Sequence, residues 1–333
     1  MKPVELSDRL ERVPRCSLGI YPTPLVPLER LSHELGRSVF VKRDDTLGPA
    51  AGGNKTRKLE YLLADAIEAG ATTIATVGGP QSNHARLTAA AARMLGLECH
   101  LLLFGAEPKR ASGNLLLDRL VGAKVHFIPP GPIASGTCTF EALDDYVRYE
   151  AKQRVGDHYH VPLGGSNGLG SLGYVRAALE IEEQAKAAGI ADAWIVVATG
   201  SCGTLSGLLA GLKVVGSSLR VVGIDVASIW SDYPGVIMRI ANDSLKLLKV
   251  PDRVEPADVS LIESTYVGQG YAVPTKGGTA AIKRLARSEG ILLDPTYTGK
   301  ACAGLLDLHA SGHFGEGEPV IFWHTGGLPG LFA

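Results

Sequence analysis

At 333 residues the chain exceeds what one compact core usually holds, so two domains or one large α/β unit are expected. A formal charge of −1, with lysines and arginines scattered rather than gathered into a run, argues against nucleic acid or a membrane surface as the main partner. The opening MKPVELSDRLERVPR lacks the apolar core of a signal peptide and no later stretch reaches the roughly 18 apolar residues of a membrane span, so a cytoplasmic location is expected. Cys16, Cys99, Cys138, Cys202 and Cys302 are odd in number and form no CxxC pair, which reads as reduced structural thiols.

Short apolar runs rich in β-branched residues predict strands over 39–42, 73–77, 100–104, 124–128 and 158–161. Helical periodicity between them predicts helices over 55–69, 83–95, 113–120 and 140–154. The second half repeats the alternation, with strands over 194–198, 220–225 and 320–323 and helices over 174–187, 203–214, 277–288 and 299–308. Parallel strands joined by crossover helices, an α/β fold, are what such a pattern encodes. The segment LGGSNGLGSLG (163–173) holds five glycines, too many for a stable helix or strand by propensity, and is expected to be a hinge or boundary. The stretch 227–256 has mixed periodicity and several breakers, and no element is assigned to it.

Four segments carry candidate chemistry. In KRDDTLGPAAGGNKTRKLEYLLADA, paired glycines lead into an amphipathic helix that opens with Lys55. Either Lys55, Arg57 and Lys58 are a solvated first turn, or Lys55 is partly desolvated, neutral and nucleophilic. Basic residues at a helix start oppose the helix dipole, and an anion such as phosphate would compensate them. In VATGSCGTLSGLLAGL, a buried strand runs into a loop whose successive N–H groups converge on an anion; Thr199, Gly200, Ser201, Cys202, Gly203 and Thr204 form the candidate cradle. This loop lacks the Walker lysine and the dinucleotide spacing, which argues against ATP and NAD.

In TVGGPQSNHARLTAAAARMLG, the residues Gln81, Ser82, Asn83 and His84 stand where a strand turns into a helix. Ser82 or Asn83 serves there as an ordinary N-cap, or the helix start receives a substrate carboxylate. Near the end, Tyr271 and Tyr297 lie in loops rich in glycine and proline, as packed aromatics or as site residues. His324, Gly326 and Gly327 close a further strand at its C-terminal end. Of nine histidines none pairs with another at ligand spacing on a helix, and His158 with His160 lacks a third ligand, so no metal is expected.

Together these segments resemble the fold type II pyridoxal 5'-phosphate (PLP) enzymes, and specifically the family of 1-aminocyclopropane-1-carboxylate (ACC) deaminase, D-cysteine desulfhydrase and L-cysteate sulfo-lyase. The resemblance runs through YPTPLVPLERL, KRDD, GGNKTRKLE, GGPQSNHAR, GGSNGLGSLGY, ATGSCGT, ILLDPTYTGK and HTGG, and GGNKTRKLE together with QSNH is its specific combination. It implies an α/β two-domain fold like that of tryptophan synthase β, each domain a mostly parallel sheet flanked by helices. Residues 1–50 and 164–333 would form the larger PLP-binding domain, and residues 51–163 a smaller mobile domain. Lys55 would carry PLP covalently and then move protons as a general base. Lys58 and the loop Thr199–Thr204 would hold the phosphate, and Asn83 the phenolic oxygen. Ser82, beside Asn83 and His84, would receive the substrate carboxylate, with Tyr297 and Tyr271 near the reacting carbons. A homodimer acting on a small amino acid is implied as well.

In the resembled family, the deaminase carries an acid directly after the tyrosine of its DPxY segment, near the pyridine nitrogen; this chain has Thr298. A neutral hydroxyl there would leave a weaker electron sink, suited to β-elimination with a good leaving group rather than to opening a cyclopropane. The implied reaction is therefore D-cysteine to pyruvate, sulfide and ammonia. L-cysteate and then ACC are the alternative substrates, and a binding protein without catalysis is the alternative class. Cys202 stands where the family has a smaller residue such as alanine, which bears on the loop's detail.

Overall fold

Two sheets take up the predicted strands in the computed structural model, which describes residues 1–333. The chain enters through α1 (Pro3–Glu11), β1 (Leu25–Pro27), α2 (Glu29–Leu35) and β2 (Val39–Arg43). It continues through α3 (Lys55–Glu68), β3 (Thr73–Gly78), α4 (Asn83–Met94), β4 (Glu98–Phe104), α5 (Gly113–Leu120), β5 (Lys124–Ile128), α6 (Phe140–Val155) and β6 (Tyr159–His160). The rest supplies α7 (Gly168–Ala187), β7 (Trp194–Thr199), α8 (Gly203–Val215), β8 (Arg220–Asp225), α9 (Tyr233–Leu247), β9 (Leu261–Ile262), α10 (Lys276–Glu289), α11 (Thr298–Ala310) and β10 (Val320–His324).

One sheet has the order β1-β2-β10-β7-β8-β9 and the other β5-β4-β3-β6. Every pairing is parallel except that of β1 with β2. Helices cover both faces of such sheets, which is why β7, β8 and β10 read as continuous apolar runs rather than alternating ones. The unassigned stretch contains α9, whose first turn is capped by Asp232 accepting from Gly235 N at 2.9 Å. Tyr233, Val236, Ile237, Ile240, Ala241 and Leu245 are its buried stripe. Pro234 and Gly235 read as breakers in the sequence, yet a proline in the first helical turn is favourable.

The glycine-rich segment departs from expectation. Only its first part is a turn, and α7 begins at Gly168, six residues before the predicted start. Tertiary packing overrides propensity here. A β-carbon at Gly173 would fall 2.1 Å from the Arg57 carbonyl oxygen, and one at Gly170 would fall 2.3 Å from the Gly165 carbonyl oxygen. At Gly207 of α8 it would meet the Ser171 carbonyl oxygen at 2.4 Å. The missing side chains let α7 lie directly against the backbones of α3 and α8, a gain that offsets the weak helix propensity of glycine.

A buried ionic cluster fastens α3 in this arrangement. Arg57 donates to Asp44 through Nε at 2.9 Å and Nη2 at 2.8 Å, and to Glu180 of α7 through Nη1 at 2.9 Å. Lys42 of β2 donates to Glu180 at 2.5 Å. Asp44 accepts further from Tyr174 at 2.6 Å, from Trp323 Nε1 of β10 at 2.8 Å and from Thr23 at 2.9 Å. Burial pushes the Asp44 carboxyl up, but Arg57 and then Lys42 and Tyr174 outweigh it and hold the group at about 2.

Because Asp44 is held below the ordinary aspartate value, its contribution to stability is complete above about pH 4 and is lost as pH falls towards 2. Replacing Asp44 by Ala leaves Arg57 buried with half its charge partners, and unfolding by urea should show a loss of about 3–5 kcal/mol at pH 7. The variant should also lack this part of the acid dependence. A loss below about 1 kcal/mol would mean that the cluster does not hold α3.

Candidate active site

The C-terminal ends of β3, β4, β7 and β10 converge on one cavity of about 380 Å³, the place where parallel α/β sheets bind ligands. Lys55, Ser82, Asn83, His84, Tyr271 and Tyr297 all line it, together with Thr199, Gly200, Ser201, Cys202 and Thr204. Lys58 and Gly203 lie just behind this wall, and Thr298 does not line the cavity.

Lys55 opens α3. The turn before it is drawn tight against β10: Asn54 N donates to the Thr325 carbonyl at 3.0 Å, and a β-carbon at Gly53 would sit 3.2 Å from that same oxygen. Asn54 Nδ2 donates to Thr204 Oγ1 at 2.9 Å, joining the lysine's helix to the glycine loop. Burial lowers the Lys55 ammonium to about 8, so a substantial fraction of it is the neutral, nucleophilic amine near neutral pH.

Lys58, one turn on, is fully buried, and its Nζ donates to the Gly164 carbonyl at 3.2 Å and to Ser166 Oγ at 3.0 Å. Neither partner is charged. Burial first and Lys55 second push its ammonium well below the usual lysine range, the condition of a cation that lacks its counter-charge. The glycine loop lies against it, since a β-carbon at Gly203 would be 2.9 Å from Lys58 Nζ. Cys202 turns this loop with φ at 69°, and the N–H groups of Ser201, Cys202, Thr204 and Leu205 have no acceptor in the protein. A buried ammonium facing free N–H groups at the start of α8 fits a phosphate group. The Cys202 thiol points to the Gly200 carbonyl, and its pKa is raised by burial, as for a structural cysteine.

Ser82 caps α4, its Oγ accepting from Ala85 N at 3.2 Å, and its own hydroxyl hydrogen stays free to donate. Asn83 is oriented from behind. Its Oδ1 accepts from Asn114 Nδ2 at 3.0 Å and from Arg86 Nη2 at 3.5 Å, which leaves its NH₂ without a protein acceptor. A donor held in this way fits a phenolate oxygen. Arg86 itself is buried and committed to Asn114, Ala50 and Gly52, so it does not supply a cation to the cavity. His84 Nε2 lies 2.7 Å from Thr76 Oγ1, which donates its hydrogen to the Val161 carbonyl. Nε2 is therefore the donor, and burial, then Lys55 and Lys58, keep the ring neutral.

Tyr271 and Tyr297 share a hydrogen bond through their hydroxyls, with ring centroids 5.9 Å apart at 68°. The Tyr271 ring lies against Gly79, with its Cε1 3.7 Å from where a β-carbon would stand. Thr298 opens α11 outside the cavity wall. Its Oγ1 donates to Asp294 Oδ1 at 2.7 Å and accepts from Asp294 N at 2.8 Å, closing the turn before α11. The hydroxyl turns away from the cavity because a buried Asp294 needs every donor the turn offers. Thr325 also lines the cavity. The sequence reading missed it, although its position just past strand β10 was the signal. Asn54 was also missed, as were the apolar residues Phe104, Ile133, Leu143 and Ile229, which no motif marks.

A family model described as "Pyridoxal-phosphate dependent enzyme" matches residues 16–326. The chain is 44% identical over 332 residues to a D-cysteine desulfhydrase of Klebsiella pneumoniae (strain 342), a match covering 98% of each chain. It is 42% identical over 335 residues to a D-cysteine desulfhydrase of Serratia proteamaculans (strain 568), covering 99% of this chain and 98% of the relative. Among solved structures, a crystal structure described as an ACC deaminase homologue superposes with a TM-score of 0.86 at 38% identity, covering 100% of this chain and 97% of that one.

The amine of Lys55 can be titrated directly. With bound aldehydes removed, limiting formaldehyde and cyanoborohydride should methylate Lys55 at a rate that rises with pH through a midpoint near 8, while surface lysines rise near ~10. Peptide mass spectrometry reads each site, and a Lys55 midpoint near ~10 would show an ordinary solvated amine.

Proposed function

The chain belongs to the pyridoxal-phosphate dependent enzyme family, and from that premise we propose that it catalyses β-elimination from D-cysteine, forming pyruvate, sulfide and ammonia. When bound, PLP supplies an electron sink for the bonds at the substrate's α-carbon. Lys58 and the free N–H groups of 201–205 hold its phosphate, and the NH₂ of Asn83 meets its phenolic oxygen. Ser82 and the N-terminus of α4 receive the substrate carboxylate. Lys55 Nζ takes the α-proton, for which an amine with a pKa near 8 is well matched. Tyr297, with Tyr271, stands near the reacting carbons and handles protons there.

The charge of the cavity wall carries the choice of substrate. Lys55 is its one cationic side chain, and no aspartate or glutamate lines it. The sulfonate of L-cysteate would be a second anion without a partner, since Arg86 is committed elsewhere. With only neutral hydroxyls such as Thr325 in the wall, no carboxylate strengthens the sink for opening a cyclopropane. Elimination of sulfide needs neither, and full-length relatives at 42–44% identity are named D-cysteine desulfhydrases. The same reading takes residues 51–163, which hold the four-stranded sheet, as a smaller domain that closes over 1–50 and 164–333, and takes the enzyme to be a cytoplasmic homodimer.

A substrate panel tests this reading. The purified enzyme should release pyruvate and sulfide from D-cysteine, with little turnover of L-cysteate or ACC. Conversion of ACC to 2-oxobutanoate with sulfur amino acids inert would overturn it. Tyr297→Phe should lower kcat by roughly 10²-fold, and unchanged kinetics would make the hydroxyl structural. Ser82→Ala should keep the cofactor's visible absorbance and lose turnover, with a capping cost of about 1 kcal/mol in thermal unfolding. Loss of PLP from that variant would instead place Ser82 on the cofactor.

A further inference from the structure

Tyr271 reaches the cavity from the irregular segment between β9 and α10. Ser264, Gly268, Gly270 and Ala272 all take positive φ, at 59°, 71°, 147° and 63°. The Tyr271–Tyr297 hydroxyl pair and the bonds from Lys300 tie residues 267–271 to the body of the protein, and Tyr266 packs against the core just before them. Lys300 Nζ donates to the Val267 carbonyl at 2.8 Å and to the Gly270 carbonyl at 3.3 Å. The side chain is fully buried, and both acceptors are backbone oxygens rather than carboxylates.

A fully buried ammonium bonded only to carbonyls is costly, and a methionine would fill similar space without that cost. Burial lowers its pKa, against the pull of Asp294 and Asp225. Lys300 also stands three residues after Tyr297, within the first turn of α11. One helix start therefore carries Tyr297 directly and grips the loop of Tyr271 through a cation. We propose that Lys300 is a positioning residue that sets the Tyr271 hydroxyl against Tyr297 and so keeps both aligned for turnover. This rests on the role given above to the tyrosine pair. Binding of the substrate carboxylate at Ser82 does not involve it, so the effect falls on kcat rather than KM.

The test uses holoenzyme carrying Lys300→Met, Lys300→Ala, Lys300→Arg, Tyr271→Phe or the double change Lys300→Met with Tyr271→Phe. Lys300→Met should lower kcat for D-cysteine by about 10-fold to 10²-fold with KM held within about 2-fold. The double variant should be no slower than the slower single variant, because both changes remove one arrangement. Methylammonium should raise kcat of Lys300→Ala several-fold, whereas sodium at equal ionic strength should not, and Lys300→Arg should retain most activity. Multiplicative losses in the double variant, or absent methylammonium rescue in a Lys300→Ala protein that holds its cofactor absorbance, would overturn the proposal. If neither neutral variant folds, an inactive Lys300→Arg of native thermal stability would overturn it instead. Tyr271→Phe at the native rate would sink the role of the tyrosine pair itself, which separates that failure from the failure of Lys300.

Discussion

Arg57 sits one turn from nowhere obvious in the sequence, yet the architecture of the site hangs on it. Its guanidinium is buried between Asp44, which follows β2, and Glu180 on α7, and those carboxylates are themselves held by Lys42, Tyr174 and Trp323. A charge so deeply buried tolerates one geometry, because any shift that breaks a partner leaves an uncompensated ion in the interior. That constraint sets the axial position and rotation of α3. Lys55 and Lys58 flank Arg57 on the same helix, so the rotation that buries Arg57 in the ionic cluster delivers Lys55 to the cavity and Lys58 to the glycine loop.

The two lysines share one electrostatic logic. Each loses hydration on burial, Lys58 also feels the charge of Lys55, and neither has a carboxylate beside it. An anion is needed to complete the arrangement, and the loop from Thr199 to Leu205 aims unpaired N–H groups at the place where it would sit. The phosphate of PLP would supply that charge. The same burial that makes Lys58 an anion partner makes Lys55 a weak acid with a usable neutral amine, so cofactor binding and chemistry draw on one cause.

Apart from Lys55, the cavity wall carries no charged side chain. His84 is kept uncharged by burial and by both lysines, the tyrosine hydroxyls are held protonated by burial, and Asp294 behind them is enclosed by the turn of Thr298. Such a wall suits one substrate carboxylate, which the proposed reading seats at the α4 start, and offers no cation to a second anion. It also withholds the carboxylate that would strengthen the sink. Thr325 is one of the hydroxyls that line the wall, and no acid lines it.

The α/β alternation, eight of the ten strands, the glycine loop after β7 and the helix beginning at Lys55 were legible in the sequence because each rests on local signals: β-branched runs, 3.6-residue periodicity and glycines at strand ends. GGNKTRKLE with QSNH was specific enough to point to the cofactor and, through the family it marks, to several of the polar residues that line the cavity. The start of α7 was not legible, because whether Gly168, Gly170 and Gly173 break a helix or permit close packing depends on which backbones lie opposite them. Nor was the direction of the Thr298 hydroxyl, which is decided by the buried Asp294 four residues earlier, or the carbonyl grip of Lys300 on residues 267 and 270. Residue types and spacing determine which groups a segment can offer. Only tertiary structure decides which of them are already spent on burial and hydrogen bonds, and therefore which remain free to meet a ligand.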